Sequence, residues 1–314
     1  MSYQQLTEGQ RYQISVLRTQ SMSVSAMARA IGVHRSTLYR ELRRNSQDGY
    51  QPDYAQQQAR FRRTHARKAR IPNCVLPFVE LVLSWRWSPE QISAIGKRIG
   101  LRVSHEWIYR YVAANKALGG QLYRYLRQGH KRYRKGSGSR CSPIKDARSI
   151  EERPAIVDSR ERFGDWEADT VLGKQGTGVL VTLAERKSRH YLVKRVRSKQ
   201  ADEVRDAIIE MLRPYAKHVH TITFDNGGEF AGHKAIEAAL EAKTYFAHPY
   251  SSWERGLNEN FNGLLRQYIP KGTDLRTLTN EEIEQAQRAL NLRPRKCLGF
   301  RQPGKVFEEY LRAA

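Results

Sequence analysis

The chain has 314 residues, 39% of them hydrophobic, which suffices for two or three domains with a packed core, and it has no run of about 18 apolar residues that would span a membrane. Net charge is +23, and its distribution is uneven: residues 1–150 hold 28 Lys and Arg against 8 Asp and Glu, residues 151–314 hold 27 against 24. A half-chain so basic repels itself unless a polyanion partners it, so nucleic acid is expected and a membrane surface is the weaker alternative; three scattered cysteines (Cys74, Cys141, Cys297), with no histidine at zinc-finger spacing and no secretory signal, disfavour a disulfide framework or zinc site and fit a reducing cytoplasm.

Residues 7–45 read as helices, with a turn at Gly32 between Val24–Ile31 and His34–Arg44. Ala28 permits close helix contact, and Ile31, Val33 and Leu38 supply a small core, which is helix-turn-helix spacing. The second helix presents Arg35, Ser36, Tyr39, Arg40 and Arg43 outward, with Thr37 and Arg44 beside them, as candidate DNA-binding residues. A solvated basic face is the plainer reading, and the charge excess in the same half favours DNA. The domain is expected over residues 1–50, and residues 51–72 are expected to form a basic helix or linker.

Residues 73–126 repeat the pattern as a second helix-turn-helix-like domain. Ser88-Pro89-Glu90-Gln91 is a capping box with proline at the first helical position. A further helix starts at Ser104 and carries His105 and Arg110 as candidate DNA contacts, while Trp85, Trp87, Trp107 and Tyr111 are read as core. Residues 127–155 read as a basic flexible linker, with Arg132, Arg134 and Lys135 on the DNA backbone ahead of Gly136-Ser137-Gly138-Ser139.

Over residues 156–314 the period changes to that of an α/β domain. Asp165–Leu172, Val179–Glu185 and Tyr191–Val196 are expected strands, followed by helix 199–217, strand 219–224, helix 232–241 and strand 243–247. Three acids stand out. Asp169 lies in Gly164-Asp165-Trp166-Glu167-Ala168-Asp169, and Asp225 ends the apolar run Ile222-Thr223-Phe224 before Asn226-Gly227-Gly228. Glu259 lies on an expected helix, with 33 residues between it and Asp225, where the apolar stripe Phe261, Leu264, Leu265, Tyr268 leaves it on the polar side. Asp225 alone could be a turn former. Two strand-borne aspartates and a helix-borne glutamate converging at one sheet end would repel one another without hard cations such as Mg²⁺. Two such ions, roughly 3.5–4 Å apart, clamp the attacking and leaving oxygens of an in-line phosphoryl displacement. Asn226 could contact DNA or hold a turn, and Arg266 and Lys271, with Arg293, Arg295 and Lys296, are candidate phosphate contacts.

The stretches GDWEADTV, ITFDNGGEF, ERGLNENFNGLLRQYIPKGTDL and LNLRPRKCLGF, together with STLYRELRRN and WSPEQISAIGKRIGLRVSHEWIYRYV, resemble insertion-sequence transposases of the DDE type, the IS-thirty family in particular. The resemblance spans nearly the whole chain. It implies an all-α helix-turn-helix N-terminal region followed by an α/β ribonuclease-H-like catalytic domain. It also implies that Asp169, Asp225 and Glu259 are the catalytic, metal-binding acids, with no departure at those positions, and that two Mg²⁺ ions, replaceable by Mn²⁺, are the cofactor. The partners it implies are double-stranded DNA, as terminal inverted repeats and target, and further copies of the chain as a homodimer or larger assembly in the bacterial cytoplasm, at the nucleoid. A sequence-specific DNA-binding regulator on an inactive nuclease fold is the alternative, disfavoured by the intact acids; a junction resolvase is disfavoured by two helix-turn-helix units.

Overall fold

The computed structural model describes residues 5–46, 49–65, 71–127, 144–249 and 251–313. The chain divides into two compact units, Met1–Arg70 and Ile71–Ala314.

In the first unit, α1 (Glu8–Thr19) begins at a capping box between Thr7 and Gln10. Ser23 caps α2 (Val24–Ala30), and His34 accepts from the Ser36 N–H at the start of α3 (Arg35–Asn45). Gly32 turns the chain between them at φ +69°, a backbone region that L side chains rarely adopt. Of the expected core, Ile31 and Leu38 are buried and Val33 packs partly buried against them, joined by Leu6, Ile14, Met27 and Ala28. The stretch read as a helix or linker is α4 (Pro52–His65), and it belongs to this unit, packing on α1 and α3 and burying Ala55. What fastens it is a pairing between residues far apart in the chain. Arg11 on α1 and Glu41 on α3 form a buried ion pair at 2.7 Å. Arg11 also donates to the Leu6 carbonyl at 2.8 Å and to Gln56 of α4 at 2.7 Å.

In the second unit, α5 (Val75–Ser84), α6 (Pro89–Arg98) and α7 (His105–Ala117) enclose Val79, Leu83, Ile92, Ile108 and Val112. The Ser88–Gln91 capping box forms as its spacing predicts. Trp87 is buried, and Trp107 stacks on Tyr111 at 5.2 Å between ring centroids. Trp85 departs from expectation: it is exposed, because it caps the end of α5.

Residues 144–155 were expected to end a linker. Instead Arg148 accepts a hydrogen bond from the Phe246 N–H, Ser149 bridges to Phe246, and the chain enters α8 (Ala155–Ser159). The sheet follows: β1 (Asp165–Leu172), β2 (Val179–Glu185), β3 (Tyr191–Val196), β4 (Thr221–Phe224) and β5 (Lys243–Phe246), in the order β3-β2-β1-β4-β5. The first three strands pair antiparallel, and β4 and β5 add parallel to β1, which is the ribonuclease-H-like arrangement. Helix 199–217 ends early, as α9 (Ala201–Leu212), because Pro214 has no N–H to continue the ladder and the chain tightens into a 3₁₀ turn.

Residues on β1 and β2 alternate between two cores. Trp166, Ala168, Val181 and Leu183 pack with α9, α10 (His233–Leu240) and α13 (Pro303–Ala313). Val171, Leu180 and Ala184 pack with α11 (Gly256–Leu265) and α12 (Asn280–Leu292). The edge strand β3 is closed by α12: Gln287 accepts from the Val193 N–H at 2.7 Å, and Asn291 bonds both the N–H and the carbonyl of Tyr191.

The Arg11–Glu41 pair makes a prediction. Glu41→Ala leaves a buried guanidinium without its carboxylate, a loss of about 3–5 kcal/mol. Hydrogen exchange on the full chain should speed up at amides of residues 8–45 and stay unchanged in the sheet; protection retained in both would assign the pair no structural role.

Candidate active site

β1 carries an acid at every second position of one face: Asp165, Glu167 and Asp169. The first two are consumed by structure. Asp165 accepts from Arg162 and from the Thr221 hydroxyl. Glu167 pairs with Arg186 and accepts from the Asn258 N–H at 3.2 Å. Gly164, at φ +94°, starts this strand where an added Cβ would lie 1.7 Å from the His218 carbonyl oxygen, so only glycine fits.

Asp169 is the third, half-buried, and the parallel pairing explains its neighbour. β1 and β4 are in register at Asp165–Thr221 and Glu167–Thr223, and two residues further the same register brings Asp169 level with Asp225. The Arg255 guanidinium, just before α11, lies 3.7 Å from Asp169 and 3.1 Å from Asp225, and donates to the Ala168 carbonyl at 3.1 Å. Asn262 on α11 donates to Asp169 at 2.7 Å, and its own carbonyl oxygen accepts from the Tyr191 hydroxyl at 2.8 Å. Burial pushes the Asp169 carboxyl up to about 6; Arg255 pulls it down, and the charges of Asp225 and Glu229 push it up.

Glu229 is an acid that the sequence reading passed over. It is buried, accepts from the Thr170 hydroxyl at 3.0 Å and pairs with Lys199 at 2.7 Å. Its only signal was proximity, four residues after Asp225 in the same quoted stretch.

Glu259 is exposed in the first turn of α11, three residues before Asn262 and so on the same helix face. The structure brings Asp169 and Asp225 together and leaves Glu259 outside that contact; among the described residues no three His, Cys, Asp or Glu side chains lie close enough to hold one ion. Glu254 is occupied elsewhere. It accepts from the His248 ring and from the His248 N–H, each at 2.8 Å. Two aspartates around one cation, with oxygen donors alone, are a donor set that suits a hard divalent metal.

The other candidate residues separate by environment. Asn226 donates to the Ala247 carbonyl, tying the turn after β4 to the end of β5. Arg266 is half-buried and donates to the Leu172 carbonyl at 2.6 Å, while Lys271 is exposed. On α3, Arg35, Ser36, Tyr39, Arg40, Arg43 and Arg44 are exposed and Thr37 is half-buried; Arg40 donates to the Ser36 carbonyl. His105 and Arg110 are exposed on α7. Arg132, Arg134 and Lys135 lie outside the described residues.

Comparison with known proteins bears on the same regions. Residues 2–45 match a family described as a helix-turn-helix domain. The transposase for insertion sequence element IS4351 of Bacteroides fragilis is 41% identical over 98% of this chain and 96% of its own length. The transposase for element IS1086 of Cupriavidus metallidurans is 37% identical over 98% of this chain and 96% of its own. The transposase InsI for element IS30A of Escherichia coli is 35% identical over 96% of this chain and 83% of its own. Among solved structures, the catalytic core domain of BIV integrase aligns with a TM-score of 0.38 at 18% identity, covering 48% of this chain and 97% of that one.

The Glu254 contact carries a pH dependence. The hydrogen bond and charge of Glu254, with Glu151 beyond, raise His248 above its usual pKa. Burial pushes Glu254 up, but the bonds from His248 outweigh it and leave Glu254 below its usual value. The pair's contribution is therefore fully present, on the histidine side, below about pH 6.5 and is lost as pH rises through the raised pKa. NMR titration of the ring should show this, and Glu254→Gln should return His248 toward 6.5; an unmoved titration would dissolve the pair.

Proposed function

The chain belongs to the family of insertion-sequence transposases represented by those of IS4351, IS1086 and IS30A, and on that premise we propose that it binds the terminal inverted repeats of its element and cleaves and transfers their strands. The observation that carries the catalytic reading is the facing pair Asp169 and Asp225 at the end of the parallel strands, held around one cation. The helix-turn-helix domain and the charge of the N-terminal half support the DNA partner.

In this reading Asp169, Asp225 and Glu259 hold divalent ions. When bound, Mg²⁺, or Mn²⁺ in its place, polarises the scissile phosphodiester and lowers the pKa of an attacking water. The chain's own groups prepare the site. Asn262 fixes one oxygen of Asp169 and the Thr170 N–H fixes the other, at 2.7 and 2.8 Å. Arg255 keeps the two aspartates together in the absence of a metal, because two adjacent carboxylates repel unless a positive charge lies between them. Glu259 joins from the face of α11 that Asn262 already turns toward Asp169. No covalent enzyme nucleophile is needed: water cuts the strand and the freed 3′-OH attacks the second phosphodiester. Joining two ends calls for at least two copies of the chain on the DNA, and the reaction is placed in the cytoplasm. No helix among the described residues is long and apolar enough to cross a membrane.

Two measurements test this reading. Glu259→Gln should cut Mg²⁺-dependent nicking of an inverted-repeat duplex by about a hundredfold or more while repeat binding persists, whereas Glu254→Gln should retain nicking. The reverse pattern at equal folded fraction would remove Glu259 from the site. Separately, Arg255→Ala deletes the resident positive charge, so Mn²⁺ binding followed by electron paramagnetic resonance should tighten about tenfold. Unchanged or weaker binding would show that Arg255 does not stand where the metal goes.

A further inference from the structure

A cavity of about 450 Å³ lies where the helical part of the second unit meets the catalytic part. Arg86, Lys116, Arg127 and Arg293 line it with Trp87, Tyr109 and Tyr123, and among the described residues no carboxylate does. The walls come from three places: the turn from α5 into α6, α7 with the residues after it, and the loop after α12. That junction is built. The Gln91 side chain donates to the Pro294 carbonyl at 2.6 Å and accepts from Arg293 at 3.0 Å, Lys296 pairs with Glu90 at 2.6 Å, and Tyr268 donates to the Trp85 carbonyl at 3.2 Å.

The cations here are provided with neutral company only. Arg86 lies over the Tyr268 ring at 5.4 Å and Lys116 over the Tyr123 ring at 4.6 Å. Arg127 donates to Asn260 at 3.0 Å, and Arg293 to Gln91 and to Gln267. Behind them Arg295 is buried over the Phe261 ring at 4.7 Å and donates to the Leu290 carbonyl. Among the described residues none of the five forms an ion pair, and residues 107–145 contain no Asp or Glu at all. Elsewhere in the second unit buried arginines are answered by acids, as Arg186 is by Glu167. Burial, with the charges of Arg127 and Arg86, lowers Arg293 to about 10; burial, with Arg293 and Arg127, lowers Arg295 to about 9. Arg86 sits at φ +62°, in the left-handed turn that ends α5, which carries its side chain toward the cavity.

Arg293 and Arg295 are buried and Arg86 half-buried without a counter-charge, which is a cost to the fold unless an anion supplies it. Rings beside them offer stacking surface to a base. A volume of this size admits one nucleotide. We propose that this cavity is a nucleotide-binding subsite: Arg86, Arg127 and Arg293 take a phosphodiester of the DNA strand, and the aromatic wall takes the unpaired base attached to it. The subsite rests on the transposase reading and deepens it, because Arg127 also contacts Asn260, the neighbour of Glu259 on α11. A nucleotide seated here would set the position of α11 as well as of the strand.

The test uses the full chain in EDTA, so that cleavage plays no part. The probes are a fluorescent inverted-repeat duplex with a short unpaired extension, the same duplex blunt, and inorganic phosphate as competitor. The extended duplex should bind at least tenfold more tightly than the blunt one. Arg86→Gln with Arg127→Gln should erase that difference, and Lys116→Ala, on an exposed side chain remote from the junction bonds, should reduce it. Phosphate should weaken the extended duplex more than the blunt one. Equal binding of both duplexes by the native chain, or a difference that survives in the double variant, overturns the subsite. Mg²⁺-dependent nicking by the native chain is measured in parallel: nicking without the extension effect discards the subsite alone, and the extension effect without nicking discards the catalytic reading alone.

Discussion

Negative charge on one face of β1 is the constraint around which the catalytic part is arranged. Three acids in alternation on a buried central strand cannot stand unanswered, and each answer comes from a different element. Arg162, just before the strand, and Thr221 of β4 hold Asp165. Arg186, from the β2–β3 turn, and the α11 backbone hold Glu167. Arg255 and Asn262 hold Asp169. The strand order, the β2–β3 turn and the seating of α11 thus serve one electrostatic need. Moving outward along β1, the acids themselves change from buried, at Asp165 and Glu167, to half-buried, at Asp169.

Much of the sheet was legible in the sequence because period-two alternation is a local property. The limits of β1, β2 and β3 follow from it, as do the two packed faces. Helix ends were legible where the sequence marks them, at Thr7 and Ser88, and misjudged at Leu212, where Pro214 ends the ladder. What could not be read was pairing across distance. Nothing near Asp169 in the chain announces Arg255, Asn262 or Glu229, and nothing near Arg11 announces Glu41. Periodicity gives a residue its side but not its partner. Trp85 failed for a related reason: aromatic character suggested core, but a residue capping a helix end takes its exposure from the chain's exit path.

The basic half of the chain also divides more finely than its composition suggests. Some of its cations are absorbed into the fold, as Arg11 is, and others remain on the exposed face of α3. Gln91 shows how one residue serves two scales. Its amide closes the capping box of α6, a local event visible in the sequence, and also fastens α6 to Arg293 and Pro294 some two hundred residues later. The orientation of the helical part on the catalytic part is thereby coupled to how that helix begins.

Both margins of the sheet are partly covered. Gln287 and Asn291 occupy the backbone groups of β3, and the stretch around Ser149 lies along β5. At high local concentration a bare edge strand would invite a neighbour's strand. With side-chain amides of α12 bonded to β3 and the Ser149 stretch beside β5, part of each margin is already taken, so a neighbouring strand would find fewer backbone groups to pair with.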